Sequence, residues 1–144
     1  LGQVALIKTS GNPDGHVILR GGKQPNYDSV NVQLCEQELA KQDLEPGIVV
    51  DCSHGNSNKD YRRQPLVAEN VFNQICDGNK SIIGIMLESN INPGNQSSDL
   101  PFKALEYGVS VTDACIDFTT TEQLILGAST KLETILKQRI NATS

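Results

Sequence analysis

Three apolar runs recur at one interval in this chain, and each leads to a residue that a packed core does not need. His16-Val17-Ile18-Leu19 ends at Arg20, Ile48-Val49-Val50 leads through Asp51 to His54, and the run from Ser81 to Leu87 ends at Glu88. Arg20, His54 and Glu88 are each 34 residues from the next, about the length of one strand–helix unit. A repeat of that length brings equivalent side chains to the same end of a parallel sheet. That end is where chemistry collects in (β/α)8 barrels and in open α/β sheets. The runs are continuously apolar rather than alternating, which implies strands covered on both faces, by helices or by closure into a barrel.

The intervening segments read as helices. Val32, Cys35 and Leu39 give residues 28–42 a buried stripe, and Val67, Val71 and Ile75, flanked by Ala68 and Phe72, do the same for residues 64–76. Pro65 falls in the first turn of the second helix, where proline is tolerated. A last helix is predicted from Thr119, with Thr119 and Glu122 as a capping box and Leu124, Ala128, Leu132, Ile135 and Leu136 on its apolar side. Residues 3–9 predict a further strand, which the turn at 10–15 would fold back as a hairpin on residues 16–19. Residues 91–109 form a long polar loop, and residues 109–116 a short β-like or irregular piece. Strand and helix in alternation mean an α/β fold with a parallel sheet.

Composition narrows the function. The chain is 38% hydrophobic and 20% charged, as a folded globular domain is. A net charge of -5 and a pI near 4.9 argue against a nucleic-acid partner, leaving Arg20, Lys23, Arg62 and Arg63 as local groups for an anionic ligand. The apolar runs are too short to span a membrane. Cys35, Cys52, Cys76 and Cys115 form no CxxC pair and predict free thiols in a reducing, cytoplasmic setting. In that setting the sequon at Asn141-Ala142-Thr143 is fortuitous. The chain opens at Leu1 and its single Met is Met86, which predicts a piece of a longer polypeptide.

The candidate chemistry lies at the strand ends. Residues 51–65, DCSHGNSNKDYRRQP, place more polarity after a buried strand than packing requires. His54, Glu88 and Asp113, the last where the next connection returns to the same rim, make an N/O ligand set for Mn, Fe, Co or Zn. Three protein ligands with a position left open suit polarising a carbonyl or activating water. In Arg20-Gly21-Gly22-Lys23 the glycines allow close backbone approach, Arg20 offers a planar fork for carboxylate or phosphate, and Lys23 a point charge. Taken singly, each residue also fits a hydrogen-bonded turn or a solvated cap. Their recurrence at one edge favours a site.

The stretches ILRGGK (18–23), PNY (25–27), DCSHGNSNKDYRRQP (51–65), SIIGIMLESNI (81–91), GNQSS (94–98) and YGVSVTDACI (107–116) resemble, in order, the type I 3-deoxy-D-arabino-heptulosonate 7-phosphate (DAHP) synthases. The wording of 51–65 is most similar to the tyrosine-sensitive bacterial form. The resemblance implies a (β/α)8 barrel that condenses phosphoenolpyruvate with erythrose 4-phosphate and releases phosphate, at the entry to the shikimate pathway. It implies that His54, Glu88 and Asp113 are metal ligands and that His54 and Arg20 are catalytic. Arg20, Lys23 and Asp113 are then the substrate-binding residues, Arg20 at phosphoenolpyruvate and Asp113 near the sugar-phosphate aldehyde. In the family's chemistry C3 of phosphoenolpyruvate attacks a metal-polarised aldehyde, water adds at C2, and phosphate leaves by C–O cleavage.

The resemblance covers only the C-terminal part of such an enzyme, so residues 1–144 are expected to be one segment of its barrel domain, with a hairpin at 1–16 and a final helix at 119–140. The first five strands, the Lys-Pro-Arg-Thr segment and the fourth metal ligand, a cysteine, have no counterpart here. Cys52 is not that cysteine by position, although alternation along its strand would turn it the same way as His54. Three strands cannot close a barrel, so the segment is expected to be inactive alone and to self-associate. In the family the hairpin matched by 3–16 borders the pocket for an aromatic amino-acid effector such as tyrosine and joins subunits. A non-catalytic piece that binds such an effector or forms a homo-oligomer is the alternative.

Overall fold

The computed structural model describes residues 2, 4–12 and 14–142. Its centre is a three-stranded parallel sheet in the order β1 (Val17–Leu19), β2 (Ile48–Asp51), β3 (Ile82–Met86). The register pairs Ile18 with Val49 and Val49 with Gly84. An irregularity between Ile48 and Val49 leaves Ile83 without a direct partner. The strands are linked by α1 (Ser29–Ala40) and α2 (Gln64–Cys76), and the chain closes with α3 (Phe118–Ala142). This is the alternation the apolar runs predict.

The ends of the helices follow from local chemistry. Asp28 caps α1, its carboxylate accepting from the Val30 and Asn31 N–H groups at 3.1 Å. At α3 the cap is Asp117, not the box expected from Thr119 and Glu122. The Thr120 N–H donates to Asp117 Oδ1 at 2.6 Å, and this bond holds the Asp117 carboxyl below the ordinary carboxylate range. A short carboxylate one residue before the helix reaches the free N–H groups directly, which removes the need for the box.

All three helices contribute to one core. Val32 of α1, Val67, Ala68, Val71, Phe72 and Ile75 of α2 and Leu132 of α3 pack with Leu19, Ile48, Val50 and Ile82 of the sheet. Lys131 on α3 pairs with Glu69 and donates to Asn73 Oδ1 at 2.7 Å, both on α2. Arg139 donates to the Ile82 carbonyl at 3.0 Å and to that of Asn79.

Two expectations need correction. The sheet is covered on one face only: Ile18, Ile83 and Met86 are exposed, because α1, α2 and α3 lie on the other side and the open sheet does not curl back on itself. The hairpin at the start of the chain does not form among the described residues. Residues 4–12 carry no strand, Val4, Leu6 and Ile7 are exposed, and β1 is bordered only by β2. A strand gains stability from a partner and a covering layer, and here residues 4–12 meet neither. Leu1, Gln3 and Pro13 of that span, and Thr143 of the sequon, lie outside the described residues.

Candidate metal and anion site

The C-terminal edge of the sheet opens into a cleft of about 340 Å³ bounded by Arg20, Gly21, Gly22, Ser53, His54, Gly55, Lys59, Glu88, Asp113 and Ala114. The three residues singled out by their spacing, Arg20, His54 and Glu88, therefore share one wall with Asp113. His54 Nε2 stands 3.3 Å from Glu88 Oε1 and 3.8 Å from Asp113 Oδ2. One potential ligand atom from each of the three lies within 4.8 Å of the others.

Each of these residues is held from behind. His54 follows β2 and adopts a left-handed φ of 47°, a conformation that a non-glycine residue takes at a cost of about 1–3 kcal/mol. That bend carries the imidazole out of the strand and into the cleft. On the far side of the ring Nδ1 approaches Asp51 Oδ2 at 2.7 Å, a close contact not aligned as a hydrogen bond. Glu88 is oriented by the Ser53 hydroxyl, which donates to Oε2 at 3.1 Å, leaving Oε1 toward His54. Asp113 reaches the rim because residues 110–116 lie along the outer side of 88–95. The Ile116 N–H donates to the Glu88 carbonyl at 3.0 Å, and the Cys115 N–H to the Gly94 carbonyl at 3.1 Å.

Arg20 belongs to the same wall through its main chain. Its carbonyl accepts from the Gly55 N–H at 3.1 Å. Asn56, 3% exposed, ties the neighbouring pieces by donating to the carbonyls of Leu19 (2.9 Å) and Asp51 (2.8 Å) and accepting from the Asn26 N–H (2.8 Å). Asn26 in turn accepts from the Gly21 N–H at 2.7 Å. The loops after β1 and β2 thus form one hydrogen-bonded block.

The set fits a divalent cation by its donors: one imidazole nitrogen and two carboxylates converge on a solvent-open cleft, with Ser53 bonded to the far oxygen of Glu88 and Asp51 against the far nitrogen of His54. The thiols do not add to it. Cys52 is buried in the core rather than facing the cleft with His54: alternation keeps it on the face of Ile48 and Val50, and it is His54 that leaves that face through its left-handed turn. Burial, with help from the neighbouring Asp51 charge, pushes its thiol up to about 12. Burial also raises the Cys115 thiol, against the hydrogen bond with Ser110 and with the Glu88 and Asp113 charges adding to the rise.

Three basic residues fall elsewhere than expected. Lys23 is exposed and outside the cleft wall, whereas Lys59 lines it. Arg62 pairs with Asp60 at 2.8 Å, and Arg63 reaches the same carboxylate at 4.0 Å. The left-handed φ values of Asn58 (53°) and Lys59 (59°) turn the chain so that Lys59 alone of that charge cluster enters the cleft. Ser53, Asp51, Asn56 and Gln64 were within the polar stretch at 51–65, but their roles needed the fold. Their signal was only that polar residues sat where burial was expected.

The family model described as the DAHP synthetase I family matches residues 2–125. The chain belongs to the DAHP synthetase I family. Among DAHP synthetase I relatives, the chain is 64% identical over 124 residues to the Tyr-sensitive phospho-2-dehydro-3-deoxyheptonate aldolase of Escherichia coli (strain K12), covering 86% of this chain and 35% of that protein. It is 59% identical over 140 residues to the Tyr-sensitive phospho-2-dehydro-3-deoxyheptonate aldolase of Enterobacter agglomerans, covering 97% of this chain and 66% of that protein. The solved phospho-2-dehydro-3-deoxyheptonate aldolase of Francisella tularensis SCHU S4 superposes with a TM-score of 0.83 at 40% identity, covering 90% of this chain and 37% of that one. The chain thus spans about a third to two thirds of the length of these relatives.

Proposed function

We propose that the chain is the C-terminal segment of a 3-deoxy-7-phosphoheptulonate synthase, a metal-dependent transferase that joins phosphoenolpyruvate to erythrose 4-phosphate. The observation that carries this reading is the convergence of His54, Glu88 and Asp113 beside Arg20 at the C-terminal edge of a parallel sheet. In it β1, β2 and β3 are consecutive staves of a (β/α)8 barrel, and the uncovered sheet face lines the barrel interior. The reading places the protein in the cytoplasm; among the described residues no helix is long and apolar enough to cross a membrane.

In this reading His54, Glu88 and Asp113 hold the cation, Mn, Fe, Co or Zn. The cation, when bound, supplies a Lewis acid for an aldehyde oxygen. Arg20 presents its guanidinium fork to the carboxylate or phosphate of phosphoenolpyruvate, and Lys59, on the same wall, adds a second positive charge. Asp51 keeps His54 turned with Nε2 toward the cleft, and Ser53 keeps Glu88 Oε1 toward it. Asp113, more exposed than the other two, stands where it meets the sugar phosphate.

Calorimetric titration with Mn²⁺ and with tyrosine tests the reading. Mn²⁺ binding that disappears in His54→Ala supports it, and Mn²⁺ binding unchanged by that substitution overturns it. Tyrosine binding without Mn²⁺ binding would favour a non-catalytic, effector-binding piece. One observation favours self-association as a second property. Val4, Leu6, Ile7 and the sheet face at Ile18, Ile83 and Met86 expose apolar surface that a second copy would cover. Sedimentation velocity showing only monomer at micromolar concentration would dismiss it.

A further inference from the structure

β2 and β3 run side by side as far as Asp51 and Met86, and the last main-chain bond between them runs from the Cys52 N–H to the Met86 carbonyl at 2.9 Å. Beyond it the chain leaves the sheet, through the turns that carry His54 into the cleft. Had β2 continued, its main chain would have faced the N–H and carbonyl of Glu88, the next outward-bonding residue of β3.

One side chain meets both groups instead, the carbonyl being shared with the Ile116 N–H at 3.0 Å. The Glu88 N–H donates to Gln64 Oε1 at 2.8 Å, and Gln64 Nε2 donates to the Glu88 carbonyl at 3.1 Å. Gln64 is 0% exposed. A primary amide carries a donor and an acceptor side by side, as a peptide edge does, and Gln and Asn offer that pair without having to gain a proton. Gln64 opens α2, one turn past the residues that form the cleft wall, so the missing bond of β2 is returned by the chain that follows it.

We propose that Gln64 is the positioning residue of the metal site. It replaces the stretch of strand that must be given up for His54 to leave β2, and it sets the main chain of Glu88 at the place where Oε1 meets His54 Nε2. Ser53 sets the Glu88 side chain; Gln64 holds the backbone beneath it on the β2 side, and Ile116 bonds the same carbonyl from the other side. The proposal rests on the reading of His54, Glu88 and Asp113 as cation ligands.

The test uses the 144-residue chain with Co²⁺ and Mn²⁺ as probes. Calorimetry gives the affinities, the visible absorption of bound Co²⁺ reports its coordination, and hydrogen exchange reports the Glu88 amide. Gln64→Met keeps length and volume without the amide. It is expected to weaken both cations roughly 10- to 100-fold, the usual effect of removing a partner that orients a ligand, to alter the Co²⁺ spectrum, and to lose protection at the Glu88 amide. Val71→Ala, a core change away from the cleft, serves as a stability control and is expected to leave affinity and spectrum in place. Gln64→Asn, whose amide is one carbon short of Glu88, is expected to behave like the methionine variant and carries the test if that variant does not fold.

Unchanged affinity and spectrum in either Gln64 variant would overturn the proposal while leaving the metal reading intact. If the unsubstituted chain binds neither cation, or His54→Ala binds as well as the unsubstituted chain, the metal reading itself falls and this role falls with it.

Discussion

Gly21 and Gly55 meet main chain to main chain: a Cβ built on Gly21 would lie 2.6 Å from the Gly55 carbonyl carbon, and one built on Gly55 would lie 2.9 Å from that of Gly21. Backbone cannot yield as a side chain does, so this contact sets how near the Arg20 loop sits to the His54 loop. Gly21 also has φ +74°, which favours glycine. Gly21→Ala is therefore expected to cost at least about 1–3 kcal/mol, whereas Gly22→Ala, with open space around it, is expected to stay within about 0.5 kcal/mol. Urea unfolding of the two variants checks the difference, and equal midpoints would refute the close-contact account.

His54 occupies a left-handed conformation, and a glycine there would be free of that strain. His54→Gly is expected to hold overall stability to within about 1 kcal/mol, as relief at φ offsets the lost contact with Asp51. Binding of Mn²⁺ by the same variant is expected to vanish. Thermal unfolding and calorimetry on one sample test both halves; a large loss of stability would show that the imidazole is chiefly a structural residue.

The four thiols are free but unequal. Cys76 is exposed and is expected to react first with a disulfide reagent at pH 8, while Cys52 stays unmodified until the chain unfolds. The burial that raises the Cys52 thiol to about 12 also fixes the sign of its pH effect. A folded-state value above the unfolded one gives stability that is present below the unfolded value, near 9, and lost as pH rises toward 12. Cys52→Ala is expected to flatten that alkaline decline. An unchanged slope of stability against pH would refute it.

Leu132 is buried in the core from α3, at 6% exposure, beside the partly buried Leu124, Ala128 and Ile135, and it lies beyond the residues matched by the family model. Leu132→Ala is expected to lower stability by about 2–5 kcal/mol. Faster exchange of the α2 amides near Glu69 and Asn73 should accompany that loss, since Lys131 bonds there. A loss under 1 kcal/mol would mean that α3 contributes little to holding the chain together.

Much was decided by the amino-acid order alone. Continuous apolar runs at one spacing specify parallel strands joined by helices, because only that arrangement buries them and returns each strand end to one edge. Arg20, His54 and Glu88 could be named from the sequence, since an identical period puts side chains at identical places, and Asp113 because the next connection returns a carboxylate to the same rim. What the order of residues could not determine is which neighbours each strand end meets. The strand at 3–9 depends on a partner and a covering layer that the described residues do not supply, and Cys52 stays inward with Ile48 and Val50 while His54 turns away from that face. Lys59 rather than Lys23 reaches the cleft through two left-handed residues. Gln64 closes on Glu88 from 24 residues away. Local pattern dictates where an element forms and which residue it ends on. Contacts between distant segments set the direction in which that residue then points, and only the tertiary structure holds those contacts.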